Sequence, residues 1–155
     1  MNLDRIRELI SQIEATGEDF DASPANEDAI SKLETEIGRA FPPSYRLFLK
    51  EFGSIWCADQ SISGIHDNDP SDDSSGSILG DTKRFREEFK LPLHLLVVQA
   101  DEDAPYCLDL SSDAEEPPVV CFQLNTGTYE KIADSFESFF TQWFLEELVE
   151  LCGDE

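Results

Sequence analysis

Two histidines, four cysteines and a large excess of carboxylates are the side chains of this chain that could do chemistry. A cysteine nucleophile needs a thiol activated by a partner such as histidine. His66 and His94 are the only histidines, and Cys57 is the cysteine near His66 in sequence. No nucleophile signature surrounds Cys57, Cys107, Cys121 or Cys152, and none of them forms a CxxC pair. Cysteines scattered this widely predict reduced, mostly buried thiols, not a disulfide framework or a metal site. Carboxylates could supply a glycosidase-like pair. Here they cluster on turns, away from any apolar cleft that would raise a carboxyl pKa. Asp67-x-Asp69-x-Ser71 has part of a calcium-loop spacing. However, the glycine and the bidentate Glu that such a loop needs are replaced by Asp72 and Ile78. The residues therefore predict no enzyme, no cofactor and no metal.

Binding chemistry is better supplied. Acids gather at 67–73, at 101–103 and at 113–116, and the span 101–116 has no Lys or Arg. Trp56 and Tyr106 stand close to these turns in sequence. Aromatic anchors inside a charged rim are a common construction for a protein-binding hot spot. The candidate partner-binding residues are therefore Trp56, Asp67, Asp69, Asp72, Asp73, Asp101, Glu102, Asp103 and Tyr106. The turn at 101–103 could share a rim with the 67–73 loop. The plainer alternative is that the acids are simply solvated and both rings belong to the core.

Thirty-four acids face eleven bases, a net charge of −23. Such a surface repels nucleic acid and anionic lipid, and it attracts cationic proteins from a distance. The apolar runs are far shorter than the roughly 18 residues a membrane span needs. The start of the chain, residues 1–7, is charged and amphipathic and has no signal-peptide core. These features predict a cytoplasmic protein that binds a cationic protein partner, as a monomer or weak dimer.

The elements that must position these residues are legible in the spacing. At 155 residues the chain is most simply one domain, 1–155. Leu3, Ile6, Ile10 and Ile13 predict a first helix, and Ile30, Leu33 and Ile37 a second that closes at Gly38. Ser23-Pro24 has the form of a cap and first turn for that second helix. Pro42-Pro43 opens a third, with Tyr45, Phe48, Leu49 and Phe52 at i, i+3, i+4, i+7 and Gly53 as its stop. Residues 66–77 lack apolar side chains and predict an exposed, mobile loop. Asp81 or Thr82 would cap a short helix carrying Phe85 and Phe89. Leu95–Val98 suits a central strand. Tyr106–Leu110, Val119–Leu124 and Thr128–Ile132 continue an antiparallel meander, with a hairpin signal at Asn125-Thr126-Gly127. Ser135 caps a closing helix whose stripe is Phe136, Phe139, Phe140, Trp143, Phe144, Leu148 and Leu151. The fold class is α+β: a mainly antiparallel sheet of about five strands, with N-terminal helices and one closing helix packed on one face.

Four motifs in order resemble the SUKH superfamily, named for a fungal regulator of cell-wall glucan synthesis and abundant in bacteria as toxin-immunity proteins. They are Phe41-Pro42-Pro43-Ser44-Tyr45-Arg46-Leu47-Phe48-Leu49 with Phe52-Gly53, the turn at Asp101 or Asp103 leading into Tyr106-Cys107-Leu108-Asp109-Leu110, Pro118-Val119-Val120, and Ala133-Asp134-Ser135-Phe136-Glu137-Ser138-Phe139-Phe140. They span roughly residues 26–145. The turn Phe52-Gly53-Ser54 replaces the family's usual Asn-Gly or Gly-Gly, and the acidic loop at 67–73 lies outside the shared pattern. The resemblance implies an α+β fold and a non-catalytic protein that neutralises one cognate toxin, often a nuclease. A nuclease has a cationic cleft, which an acidic protein can engage. The alternative function is an acidic intracellular scaffold or regulator of other proteins, like the fungal relatives.

Overall fold

Four polar side chains set where the helices begin. In a computed structural model that describes residues 1–153, Asn2 Oδ1 accepts from Arg5 N–H, Asn26 Oδ1 from Ala29 N–H, Ser77 Oγ from Gly80 N–H and Ser135 Oγ from Ser138 N–H. Each satisfies a donor that the first helical turn leaves without a partner. They open α1 (Leu3–Glu14), α2 (Glu27–Ile37), α4 (Ile78–Phe89) and the closing helix, whose first turn is α5 (Phe136–Ser138). Between α2 and α4, Pro42 and Pro43 open α3 (Pro43–Glu51).

Two expected caps are corrected. Ser23 does not start α2, because residues 23–25 close the end of α3: Ser23 N–H donates to Phe52 O and Ala25 N–H to Leu49 O. Asp81 and Thr82 do not cap α4 either. They lie inside it, fully buried, and work as interior hydrogen-bonding groups. Asp81 accepts from Ser63 Oγ (2.6 Å) and Gly76 N–H (3.2 Å) and pairs with Arg84 (3.0 Å). Thr82 Oγ1 accepts from Val97 N–H.

Among the described residues, seven short strands form two antiparallel sheets, against the five strands expected. One is β1 (Asp21–Ala22), β2 (Ile55–Cys57) and β3 (Gln60–Ile62), with β2 in the middle. The other is a meander in the order β4 (Leu95–Gln99), β5 (Tyr106–Asp109), β6 (Val119–Phe122), β7 (Tyr129–Ala133). The β4 strand is terminal in that meander, not central. Its flank is nevertheless occupied, since Ser63 N–H donates to Val98 O at 2.7 Å and Val97 N–H reaches Thr82. This is why an apolar strand at a sheet edge is tolerated.

The alternation of β5 works as its sequence predicts. Tyr106, Leu108 and Leu110 face the main core, and Cys107 faces away. The main core gathers α1, α2, α3 and the closing helix on one side of the meander. A smaller cluster on the other side joins Phe85 of α4 to Leu91, Leu95, Val97, Val120 and Phe122.

Gly53 and Gly64 mark the closest backbone approach. Gly53 has φ of +70°, and a Cβ there would sit 1.7 Å from Ser23 O. A Cβ on Gly64 would sit 1.8 Å from Gly53 O. Only glycine lets these three segments meet.

One acid is recruited from far along the chain. The α3 N-terminus has no local side-chain cap, and Glu116 supplies one: its carboxylate accepts from Ser44 N–H at 2.9 Å and from Ser44 Oγ–H. Glu116→Ala should therefore cost about 1 kcal/mol, the usual loss for a missing cap. Its exposed neighbour, Glu115→Ala, should stay within about 0.5 kcal/mol of wild type. Urea unfolding of the two variants tests the contrast.

Candidate functional site

The closing helix runs from Phe136 to Gly153, but not as one regular α-helix. Residues Phe139–Leu145 form a π segment, followed by α6 (Glu146–Gly153). A π segment bonds i to i+5 and fits more residues into each turn, so the side-chain phase slips. On a regular helix Trp143 would follow Phe136 onto the core face and Leu145 would point outward. The structure has the reverse: Leu145 is fully buried, Trp143 is 47 % exposed and Leu151 is 57 % exposed. This corrects the expectation that the whole stripe is core.

Trp143 lies beside Tyr106, with ring centroids 6.4 Å apart, and Tyr106 packs on Phe139 at 5.4 Å. The Trp143 indole N–H donates to Ile132 O at 3.1 Å, which fixes the ring at the surface. Around it lies a groove lined by Gln60, Asp101, Tyr106, Trp143, Glu147 and Leu151, among others. Tyr106 is half-buried. Burial, with Cys121 and the Asp101 carboxylate adding to it, raises its phenol pKa, so the hydroxyl stays protonated at neutral pH.

Trp56 is the other exposed ring. It is the outward residue of β2, 55 % exposed between the buried Ile55 and Cys57. On one side it borders a cleft with Asp21, His66, Asp67 and Asp72. On the other it borders a hollow with Glu18, Asp19, Asp59 and Leu151. Leu151 therefore belongs both to that hollow and to the Trp143 groove. Among the described residues, no Lys or Arg lines any of these three depressions.

Five of the nine candidate residues from the sequence fall into two groups. Trp56, Asp67 and Asp72 meet around one cleft, and Asp101 and Tyr106 around the groove. Glu102 flanks a further depression with Phe89 and Arg84. Asp69, Asp73 and Asp103 are exposed. Asp101 shares the Trp143 groove with Leu151, and Leu151 also lines the hollow beside Trp56.

The loop is exposed and internally bonded. Asp69 accepts from Ser71, and Asp72 from Ser74, each through both backbone N–H and hydroxyl. The Ser74 bonds hold the Asp72 carboxyl below its ordinary pKa. Asn68 reaches across to Asn26 N–H, and His66 bridges Ser54 and Ser75. Asp101 makes a turn of the same kind with Asp103 and Ala104. Sequence reasoning missed Trp143, Leu151 and Glu147. Leu145, an apolar residue off the regular stripe, was the available sign of a phase slip.

The thiols of Cys57, Cys107 and Cys121 are poor nucleophiles as placed. Burial pushes Cys57 up to about 11 and raises Cys107 and Cys121. Both imidazoles bond elsewhere, His66 to Ser54 and Ser75 and His94 to Tyr129. Among the described residues, no three His, Cys, Asp or Glu converge as a metal site, and no helix is long and apolar enough to cross a membrane.

A family model described as SUKH_5, SMI1-KNR4 cell-wall, matches residues 6–145. The chain belongs to the SUKH superfamily. The match reaches back into α1, beyond the span from 26 that the motifs cover. Within this SUKH chain, the Pro-Pro helix and the closing helix meet ring to ring. Phe48 contacts Phe136 and Phe140, each at 5.2 Å.

Raised thiol pKa values give a pH prediction with a definite sign. At neutral pH these thiols are protonated in both folded and unfolded chains and do not affect stability. Above the ordinary thiol value near 9.0, the unfolded chain ionises first, so stability should fall as pH rises past it. Urea midpoints measured from pH 7 to pH 10 test this. At pH 7 a thiol reagent should label the native protein slowly and the unfolded protein fast.

Proposed function

We propose that this SUKH chain is a single domain over residues 1–155 that acts as a non-enzymatic immunity protein, binding and neutralising a cognate cationic toxin domain. The observation that carries the proposal is the surface just described: exposed Trp56, Trp143 and Leu151 in depressions whose charged lining residues are all acidic. Membership of the family supports a protein partner. The net charge of −23 supports a cationic one and argues against nucleic acid or anionic membrane. A toxin that cleaves nucleic acid presents such a cationic cleft. A cytoplasmic site of action and a monomer or weak dimer fit the same reading, since strong self-repulsion opposes assembly into larger homo-oligomers.

On this reading the carboxylates act mainly on encounter. They draw the toxin in and orient it, and the rings supply the contacts that hold it. An acidic scaffold with several partners is the competing reading, and it needs no toxin encoded next to this gene.

Expression with the toxin domain encoded beside this gene should restore growth, and affinity should fall steeply between low and high salt. Charge reversal of Asp101, Glu102 and Asp103 together should slow association by about tenfold or more, with a smaller change in dissociation. Failure to bind or protect against any neighbouring toxin would reject the immunity reading. Binding that ignores salt would reject its electrostatic part.

A further inference from the structure

The π segment does more than disturb a helix. It takes Trp143 out of the core and leaves Tyr106, Trp143 and Leu151 along one groove, with Asp101 and Glu147 among its charged lining residues. We propose that this groove is the apolar centre of the docking surface, and that it takes an apolar side chain which a cationic partner segment presents between Lys or Arg residues. The proposal rests on the reading of the chain as a binder of a cationic protein, and it moves the centre of contact from the acidic turns to the π segment.

Three observations support the geometry. Trp143 is nearly half exposed, yet its indole N–H is already bonded to Ile132 O. The ring is held in place before binding, so little side-chain freedom is left to lose on contact. Leu151 is 57 % exposed and is shared with the acidic hollow that reaches Trp56, so the groove and that hollow adjoin at an apolar side chain. A π segment is an uncommon feature that is concentrated at functional sites.

Charge selects the occupant. A second copy of this chain would bring its own Asp101 and Glu147 against the same residues, which is repulsive. A neutral apolar segment would strip water from the acidic lip without pairing it. A segment with basic residues on either side of an apolar one satisfies both the groove and its rim.

The test uses the full chain with a short peptide of alternating arginine and leucine as probe, followed by calorimetry at low salt. Oligoarginine serves as the charge-only control. Leu151→Lys and Glu147→Lys alter exposed positions, and Trp143→Ala removes the ring; thermal unfolding checks that each variant is folded. The expected result is that Leu151→Lys and Trp143→Ala each weaken the arginine–leucine peptide by about tenfold. Oligoarginine binding should be little changed by Trp143→Ala, and Glu147→Lys should weaken both probes. Paired Asp67→Asn and Asp72→Asn should weaken the arginine–leucine peptide less than Leu151→Lys does. A wild-type chain that does not bind the mixed peptide, or folded Leu151→Lys and Trp143→Ala variants that bind it normally, would overturn the proposal. The same variants are then measured against the neighbouring toxin domain. Toxin binding untouched by either variant overturns the groove and leaves the immunity reading standing. Peptide results as expected, with no toxin bound, uphold the groove and remove the immunity reading.

Discussion

Phe48 packs on two adjacent rings of the closing helix, and Tyr45 meets Phe136 edge-on at 5.0 Å. This contact joins the third helix of the chain to its last, with six of the seven strands lying between them in sequence. Edge-to-face rings add a directional preference to the area they bury, which fixes how the two helices cross. Tyr45 also donates its hydroxyl to Ser63 O at 2.7 Å, and Ser63 in turn donates to Asp81. The aromatic contact is thereby tied to a buried polar network that ends at the base of the acidic loop, where Asp81 accepts from Gly76 N–H. The loop's position is an outcome of core packing, although none of its own exposed acids is in the core.

A surface this acidic repels itself, and part of the structure is a way of living with that. Arg46 binds Glu34 at 2.9 Å and Glu27 at 2.7 Å, joining α3 to α2. Glu34 also accepts from Phe41 N–H, and Glu116 caps α3 from a distant turn. Acids that would otherwise only repel are used where backbone donors or guanidinium groups need partners.

Much of the fold could be seen in the sequence because it is carried by local signals. The stripes of α1, α2 and α3, the alternation at Tyr106–Leu110 and the Asn-Thr-Gly hairpin each follow from spacing. Three failures share a cause: a distant partner overrode a local signal. Ser23 resembles a cap but is committed to the end of α3. Asp81 resembles a cap but is drawn inward by Ser63. Val97 and Val98 suggest a central strand, yet β4 is terminal in its sheet, and its free edge is met by Thr82 of α4 and by Ser63. Asp67, Asp72 and Asp101 of the candidate surface could be picked out in the sequence, and Trp56 with them, whereas Glu147 was not. Trp143 and Leu151 could not, because helical periodicity assumes a constant number of residues per turn, and the π segment breaks that assumption.

That break makes chain length at the segment a control on the surface. Deleting a single codon between positions 139 and 145 would favour a return to regular winding, and the lost residue and the tighter turn would nearly cancel, so the helix beyond would keep its phase on the core. Only the side chains of the wide turn, Trp143 among them, would change place, with the strands and the Pro-Pro helix unaltered. Insertion and deletion at one place can thus add or remove an outward side chain in a single evolutionary step, while the rest of the closing helix stays in register.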